Sequence, residues 1–160
     1  MTEGPYTRVT WRGQKINART RDALLWAEKK WRKKYPDKRI EITQGSYNKG
    51  GVQASAGTHD GGGVVDLRTR NLSKAQRVAL VHALKDAGFA AWYRTEAQGF
   101  SPHIHACAFE DKEMAAGAKQ QCVAYDAGRD GLRPNRPDPT YRAKPKVRFT
   151  YKRQKPVPRT

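Results

Sequence analysis

The sequence predicts an α+β domain, a small antiparallel sheet with flanking helices, followed by a basic, extended C-terminal tail. Three observations carry that prediction. Periodicities alternate in the order helix, strand, strand, helix, strand, strand, helix, an order that packs helices against an antiparallel sheet. The 160 residues suit one domain plus a tail. From Arg129 onward the composition shifts: six of the nine prolines fall there, with eleven Lys or Arg against two Asp, a net +9.

The elements follow in order. Residues 18–35 read as an amphipathic helix, because Leu24, Ala27, Trp31 and Tyr35 fall at helical spacing with Lys and Arg between them, and Pro36 ends it. Arg39–Thr43 alternates and reads as a strand. Residues 45–57 are rich in Gly, Ser and Asn, a loop long enough to be functional. Gly63–Arg68 is the second strand. Ser73 opens the next helix with a capping box to Gln76; Ala79, Leu80, Ala83, Leu84 and Ala87 give its apolar face, and Gly88 closes it. Phe89–Arg94 and His103–Phe109 are two further strands, close enough in sequence to form a hairpin with a wide loop. Asp111 caps a last helix that runs to about Asp126. Residues 1–130 make up the domain and 131–160 the tail, in which Val147–Lys152 alternates as one edge strand.

The balance of 32 Lys and Arg against 15 Asp and Glu gives a formal charge of +17. Such a charge draws a protein to polyanions: nucleic acid without sequence preference, anionic membrane surfaces, or the phosphate-rich polymers of a bacterial wall. The run Lys29, Lys30, Arg32, Lys33 and Lys34 also reads simply as a solvated helix face. Cys107 and Cys122 do not make a disulfide framework and read as free thiols. The N-terminus lacks the apolar stretch of a secretory signal, and no run is apolar enough to be a membrane span. The expected location is a cytoplasm, until another agent releases the protein.

Three of the four histidines sit in two short motifs, His59-Asp60-Gly61-Gly62-Gly63-Val64-Val65-Asp66 and His103-Ile104-His105. On a strand, residues two apart share a face, so His103 and His105 point the same way while Ile104, Ala106 and Ala108 suit a core. Imidazoles beside a carboxylate from a neighbouring strand form a mixed nitrogen and oxygen site of the kind zinc accepts, with a fourth position left for water in catalytic sites. The three glycines at 61–63 suit a close approach of backbone to that site. His82 has no partner motif and reads as an ordinary helix histidine. Cys107 shares strand parity with the two histidines but lies about 7 Å along the strand from His105, so it reads as core.

The pairing of His59-x6-Asp66 with His103-x-His105 resembles the zinc peptidases that group lysostaphin-type enzymes, D-Ala-D-Ala peptidases and the hedgehog signalling domain. The stretch from Gly45 to Leu67, with Ser55, Thr58, His59 and Asp66 in the arrangement of the first metal motif, is similar to the peptidase M15 branch, and within it to modules of phages and actinobacteria. The resemblance spans roughly residues 8–130. It implies a zinc ion on His59, Asp66 and His105, with His103 polarising water or steadying the oxyanion. It implies as substrate the stem peptide or cross-link of bacterial peptidoglycan, with anionic wall polymers as partners. It further implies an endolysin-like protein, held in a host cytoplasm until released to the wall, or a part of a phage particle. Two departures bear on its chemistry. Many relatives place a glutamate base three residues before the last ligand, where this chain has Pro102; Glu96 is the nearest candidate. Relatives that hold a substrate carboxylate with an Arg before the first motif have here Gln44 to Tyr47, so Gln44 or Tyr47 would bind substrate by hydrogen bonding.

Two other readings compete. His103-Ile104-His105 also matches the metal motif of single-strand DNA nucleases that use a downstream Tyr as nucleophile, for which Tyr125 is roughly placed. A non-enzymatic protein that binds nucleic acid or cell wall through its charge, and through stacking on its four Trp and seven Tyr, is the second.

Overall fold

The computed structural model describes residues 2–48, 57–143 and 146–159. The chain opens with a hairpin, β1 (Arg8–Trp11) and β2 (Gln14–Asn17), which leads into helix α1 (Ala18–Arg32). Arg12 and Gly13 turn the hairpin with φ of 51° and 81°, the left-handed pair that a two-residue turn of matching twist needs. This hairpin is an addition to the elements expected from the sequence, whose alternation there is broken by the turn after only four residues a side. Asn17 caps α1 by accepting from the Thr20 amide. The helix stops at Arg32 instead of Tyr35. The Tyr35 amide still donates to the Trp31 carbonyl in a closing turn, and Pro36 pushes its predecessor away from helical geometry.

Strand β3 (Ile42–Gln44) lies later than the expected Arg39–Thr43. Ile40 is buried, but side chains satisfy its backbone: Arg12 donates to its carbonyl at 2.8 Å, and its amide donates to Glu28 at 2.8 Å. Strand β4 (Val64–Arg68), helix α2 (Lys74–Ala87), and strands β5 (Phe89–Arg94) and β6 (His103–Ala108) fall within a residue of their expected limits. Ser73 and Gln76 form both halves of the capping box, and Gly88 closes α2 at φ 104°. The four strands lie in the order β3-β4-β6-β5, all antiparallel. β5 and β6 are the expected hairpin, with a short 3₁₀ turn at Glu96–Gln98 in its loop. Helix α3 (Ala116–Asp126) starts later than expected. Asp111 does not cap it; that carboxylate is buried and accepts from Asn17 and from the Glu113 amide, both at 2.8 Å.

The sheet divides the interior. One face, with Val65, Leu67, Phe89, Ala91, Ile104 and Ala106, packs on Leu24, Ala27 and Trp31 of α1 and on Leu80 and Leu84 of α2. The other face contributes Val64, Ala90, Trp92 and Cys107 to a smaller cluster with Phe109, Ala118 and Tyr125. The strand expected in the C-terminal segment is present as β7 (Val147–Thr150), and it pairs with β8 (Lys155–Pro158), which patterning did not reveal. Phe149 is 1% exposed and belongs to the main core. Arg19 donates to its carbonyl at 3.2 Å, and Arg159 binds Asp126 through its two terminal guanidinium nitrogens at 2.8 Å. The basic C-terminal segment is thus tied to the domain through core packing as well as charge. Among the described residues no helix is long and apolar enough to cross a membrane.

Candidate functional site

Strand alternation and register set out the second sheet face in three rows. Val64, Cys107 and Ala90 are direct neighbours across β4, β6 and β5 and form the row under α3. The middle row is Gln44, Asp66, His105 and Trp92, one residue from each strand. Arg68, His103 and Arg94 form the third. Polarity therefore rises from the covered end of the face towards a cleft of about 400 Å³ lined by Gln44, Thr58, His59, Asp66, Arg94, His103, His105 and Gln121.

His59 reaches the middle row from the loop before β4, which is pinned at both ends: the Tyr47 amide donates to the Gly61 carbonyl at 2.9 Å and the Asn48 amide to the His59 carbonyl at 2.8 Å. The glycines that follow are needed for packing against the α3 approach, not against the cleft. A Cβ on Gly61 would sit 2.2 Å from the Glu113 carbonyl oxygen, and one on Gly62 would meet the Tyr47 hydroxyl at 2.7 Å.

The imidazoles are oriented by their outer nitrogens. His59 Nδ1 lies 2.8 Å from the Gly45 carbonyl and His103 Nδ1 lies 2.8 Å from the Ser101 carbonyl. A carbonyl only accepts, so each Nδ1 carries the proton and each Nε2 presents a lone pair. His105 Nε2 lies 2.7 Å from Gln121 Oε1, which turns its Nδ1 inward. All three inner nitrogens converge on one atom: Asp66 Oδ1 is 3.2 Å from His59 Nε2, 2.8 Å from His105 Nδ1 and 3.6 Å from His103 Nε2. The convergence gathers His59, Asp66 and His105 into one hydrogen-bonded cluster whose donor atoms can also hold a cation. Burial pushes the His105 imidazole down despite Asp66 beside it, so a proton is poorly held there at neutral pH. Burial alone would raise the Asp66 carboxyl, but His105 and His59 outweigh it and hold the group well below the usual carboxylate range. Donor atoms of His59, Asp66 and His105 all lie within 4.8 Å of one another.

The other candidate residues divide. Gln44 lines the cleft, and its amide nitrogen has no hydrogen-bond partner. Tyr47 does not line it: its hydroxyl donates to Glu113 at 2.5 Å and accepts from Asn17 at 3.2 Å, with Arg8 stacked 4.0 Å over its ring. These contacts brace the loop. Glu96 is exposed on the 3₁₀ turn and borders an adjoining groove with Arg68, Arg70 and His103, outside the hydrogen bonds of the cluster. Thr58 is buried and lines the cleft; Ser55 lies outside the described residues. Tyr125 is buried against Trp92, Phe109 and Tyr141, and burial raises its phenol. Both cysteines are free, and Cys107 is fully buried behind His105 as core.

Sequence reasoning missed Trp92, Arg94 and Gln121. Trp92 stacks on His105 at 6.1 Å between ring centres. Arg94 is 2% exposed, and burial lowers its guanidinium. The register of the expected hairpin would have paired these two with His105 and His103. Gln121 comes from a helix with no marking pattern, and only the tertiary fold brings it to the site. Comparison of the chain with models of known protein families, with curated proteins and with solved structures returned no match.

Proposed function

We propose that the protein is a zinc-dependent peptidase that hydrolyses an amide bond in the stem peptide or cross-link of bacterial peptidoglycan. The observation that carries this reading is the convergence of three oriented imidazoles on a single carboxylate oxygen in an open cleft. Ligand atoms around a four-coordinate zinc with bonds of about 2.0–2.1 Å sit roughly 3.3 Å apart. The 2.8 Å and 3.2 Å separations of Asp66 Oδ1 from His105 and His59 are on that scale.

In this reading His59 through Nε2, Asp66 through Oδ1 and His105 through Nδ1 hold the ion. A zinc ion bound there supplies a Lewis acid that polarises the scissile carbonyl and activates water. His103 is the best-placed proton carrier. Ser101 fixes its Nδ1 as a donor, which leaves Nε2 as a base facing the cleft. Glu96, on the neighbouring groove, is less well placed for that part. Gln44 lines the cleft, and a turn of its side chain would bring its buried, unpaired amide nitrogen to a peptide carbonyl. The charge of +17 favours retention on anionic wall polymers and accounts for the non-specific nucleic-acid binding expected of the chain. The endolysin-like setting, with release to the wall or carriage in a phage particle, is part of the same proposal. The nuclease alternative is disfavoured by Tyr125, whose burial among aromatic rings withholds the nucleophile it requires.

The test is digestion of purified peptidoglycan. The expected products are new amino and carboxyl ends without new reducing sugar ends, lost on chelation and restored by zinc. Intact peptidoglycan beside a denaturation-stable adduct of Tyr125 with single-stranded DNA would replace the peptidase with the nuclease.

A further inference from the structure

We infer that Gln121 is a positioning residue that selects Nδ1 of His105 as the metal donor. The inference rests on the metal reading of the cluster and concerns a residue to which that reading gave no part. Each imidazole at the site has its outer nitrogen bonded to an oxygen: His59 to the Gly45 carbonyl, His103 to the Ser101 carbonyl, and His105 to Gln121 Oε1. Only the third oxygen belongs to a side chain, so only there does the orientation depend on residue identity.

Gln121 presents its amide oxygen inward. Oε1 lies 2.7 Å from His105 Nε2 and also 3.3 Å from Cys107 Sγ. The Cys107 thiol donates to that oxygen. Placed so, the oxygen accepts from both the thiol and the imidazole, and the thiol sulfur lies 3.5 Å from His105 Nε2 as well. The His105 proton is thereby held on Nε2, and Nδ1 turns its lone pair towards Asp66, 2.8 Å away. Trp92 stacked on the same ring at an interplanar angle of 20° keeps its plane. Without the acceptor, His105 is free to move its proton to Nδ1 and donate to Asp66. That tautomer occupies two of the three ligand atoms with one hydrogen bond. An outer hydrogen bond of this kind is typically worth roughly 10–100-fold in metal affinity.

The experiment is competitive titration of zinc into the full chain, its Gln121→Leu variant and its Gln121→Glu variant, with thermal unfolding of each metal-free protein as a folding check. Gln121→Leu is expected to bind zinc roughly 10–100-fold more weakly. Gln121→Glu keeps an acceptor of the same length and is expected to restore affinity to within a few-fold of the parent, a rescue that loss of packing alone would not give. Parent affinity in a folded Gln121→Leu variant overturns the inference, as does equal weakening in both variants. Should the parent itself take up no zinc, the metal reading fails before Gln121 is at issue. If Gln121→Leu does not fold, Gln121→Met at near-equal volume gives the same comparison.

Discussion

The two faces of the central sheet share one backbone and differ in almost everything else. Towards α1 and α2, the residues Val65, Leu67, Ile104 and Ala106 are fully buried in the main core. One residue along, Asp66, His103 and His105 meet across the same ladders in a cleft. Period-two alternation lets a single strand pair serve stability on one side and chemistry on the other. The difference teaches where each kind of energy resides. The helix face holds the fold through apolar burial, whereas the cleft face gathers three imidazoles around one carboxylate oxygen, the cluster that the proposal above assigns to a cation.

Neighbouring substitutions sharpen that contrast. Leu67→Ala on the helix face is expected to cost about 2–5 kcal/mol in denaturant unfolding, with the same loss in the presence and absence of zinc. His103→Ala on the cleft face should change stability by less than about 1 kcal/mol and keep its zinc, yet lower peptidase turnover by roughly 10²–10⁴-fold. A His103→Ala protein that loses zinc would show that the two histidines of the β6 motif have been assigned in reverse.

A smaller effect lies away from both faces. Glu3 accepts from Arg21 at 2.7 Å and from Tyr151 at 2.5 Å, joining the N-terminus to the C-terminal hairpin. The Arg21 and Tyr151 hydrogen bonds lower its carboxyl from 4.5 to about 2. A lowered carboxyl contributes stability in full above its unfolded value and loses it as pH falls through the folded one. The thermal midpoint of Glu3→Gln should therefore lie slightly below the parent at neutral pH. The gap should close as pH falls from about 4.5 towards about 2. The group is exposed to solvent, so high salt should shrink the gap.

Much of the fold was legible because its main elements carry strong periodicity. The capping box at Ser73 and the Gly88 stop bounded α2, and the nearness of the expected strands Phe89–Arg94 and His103–Phe109 marked a hairpin. Elements whose order comes from distant partners were not legible. Ile40 looked like a strand residue, but Arg12 and Glu28 take its backbone. Asp111 looked like a helix cap, but Asn17 claims it. Phe149 sits in a stretch dominated by prolines and cations, where composition hid a residue of the main core. At the site, motif spacing and strand parity were enough to nominate His59, Asp66, His103 and His105, which the fold brings together. Tyr47 was nominated by the place of a substrate-holding Arg in the family it resembles, and its hydroxyl donates to Glu113. Gln121 is distant in sequence from the first motif and carries no pattern, so only the packing of α3 brings it to His105.

The central claim is that His59, Asp66 and His105 form a metal centre. Its most direct test is the zinc content of the purified chain and of the His59→Ala, Asp66→Ala and His105→Ala variants after equilibration with zinc and dialysis. The account predicts about one zinc per parent chain, with the metal lost from each variant. A parent chain without zinc, or variants that retain it in full, would contradict the account.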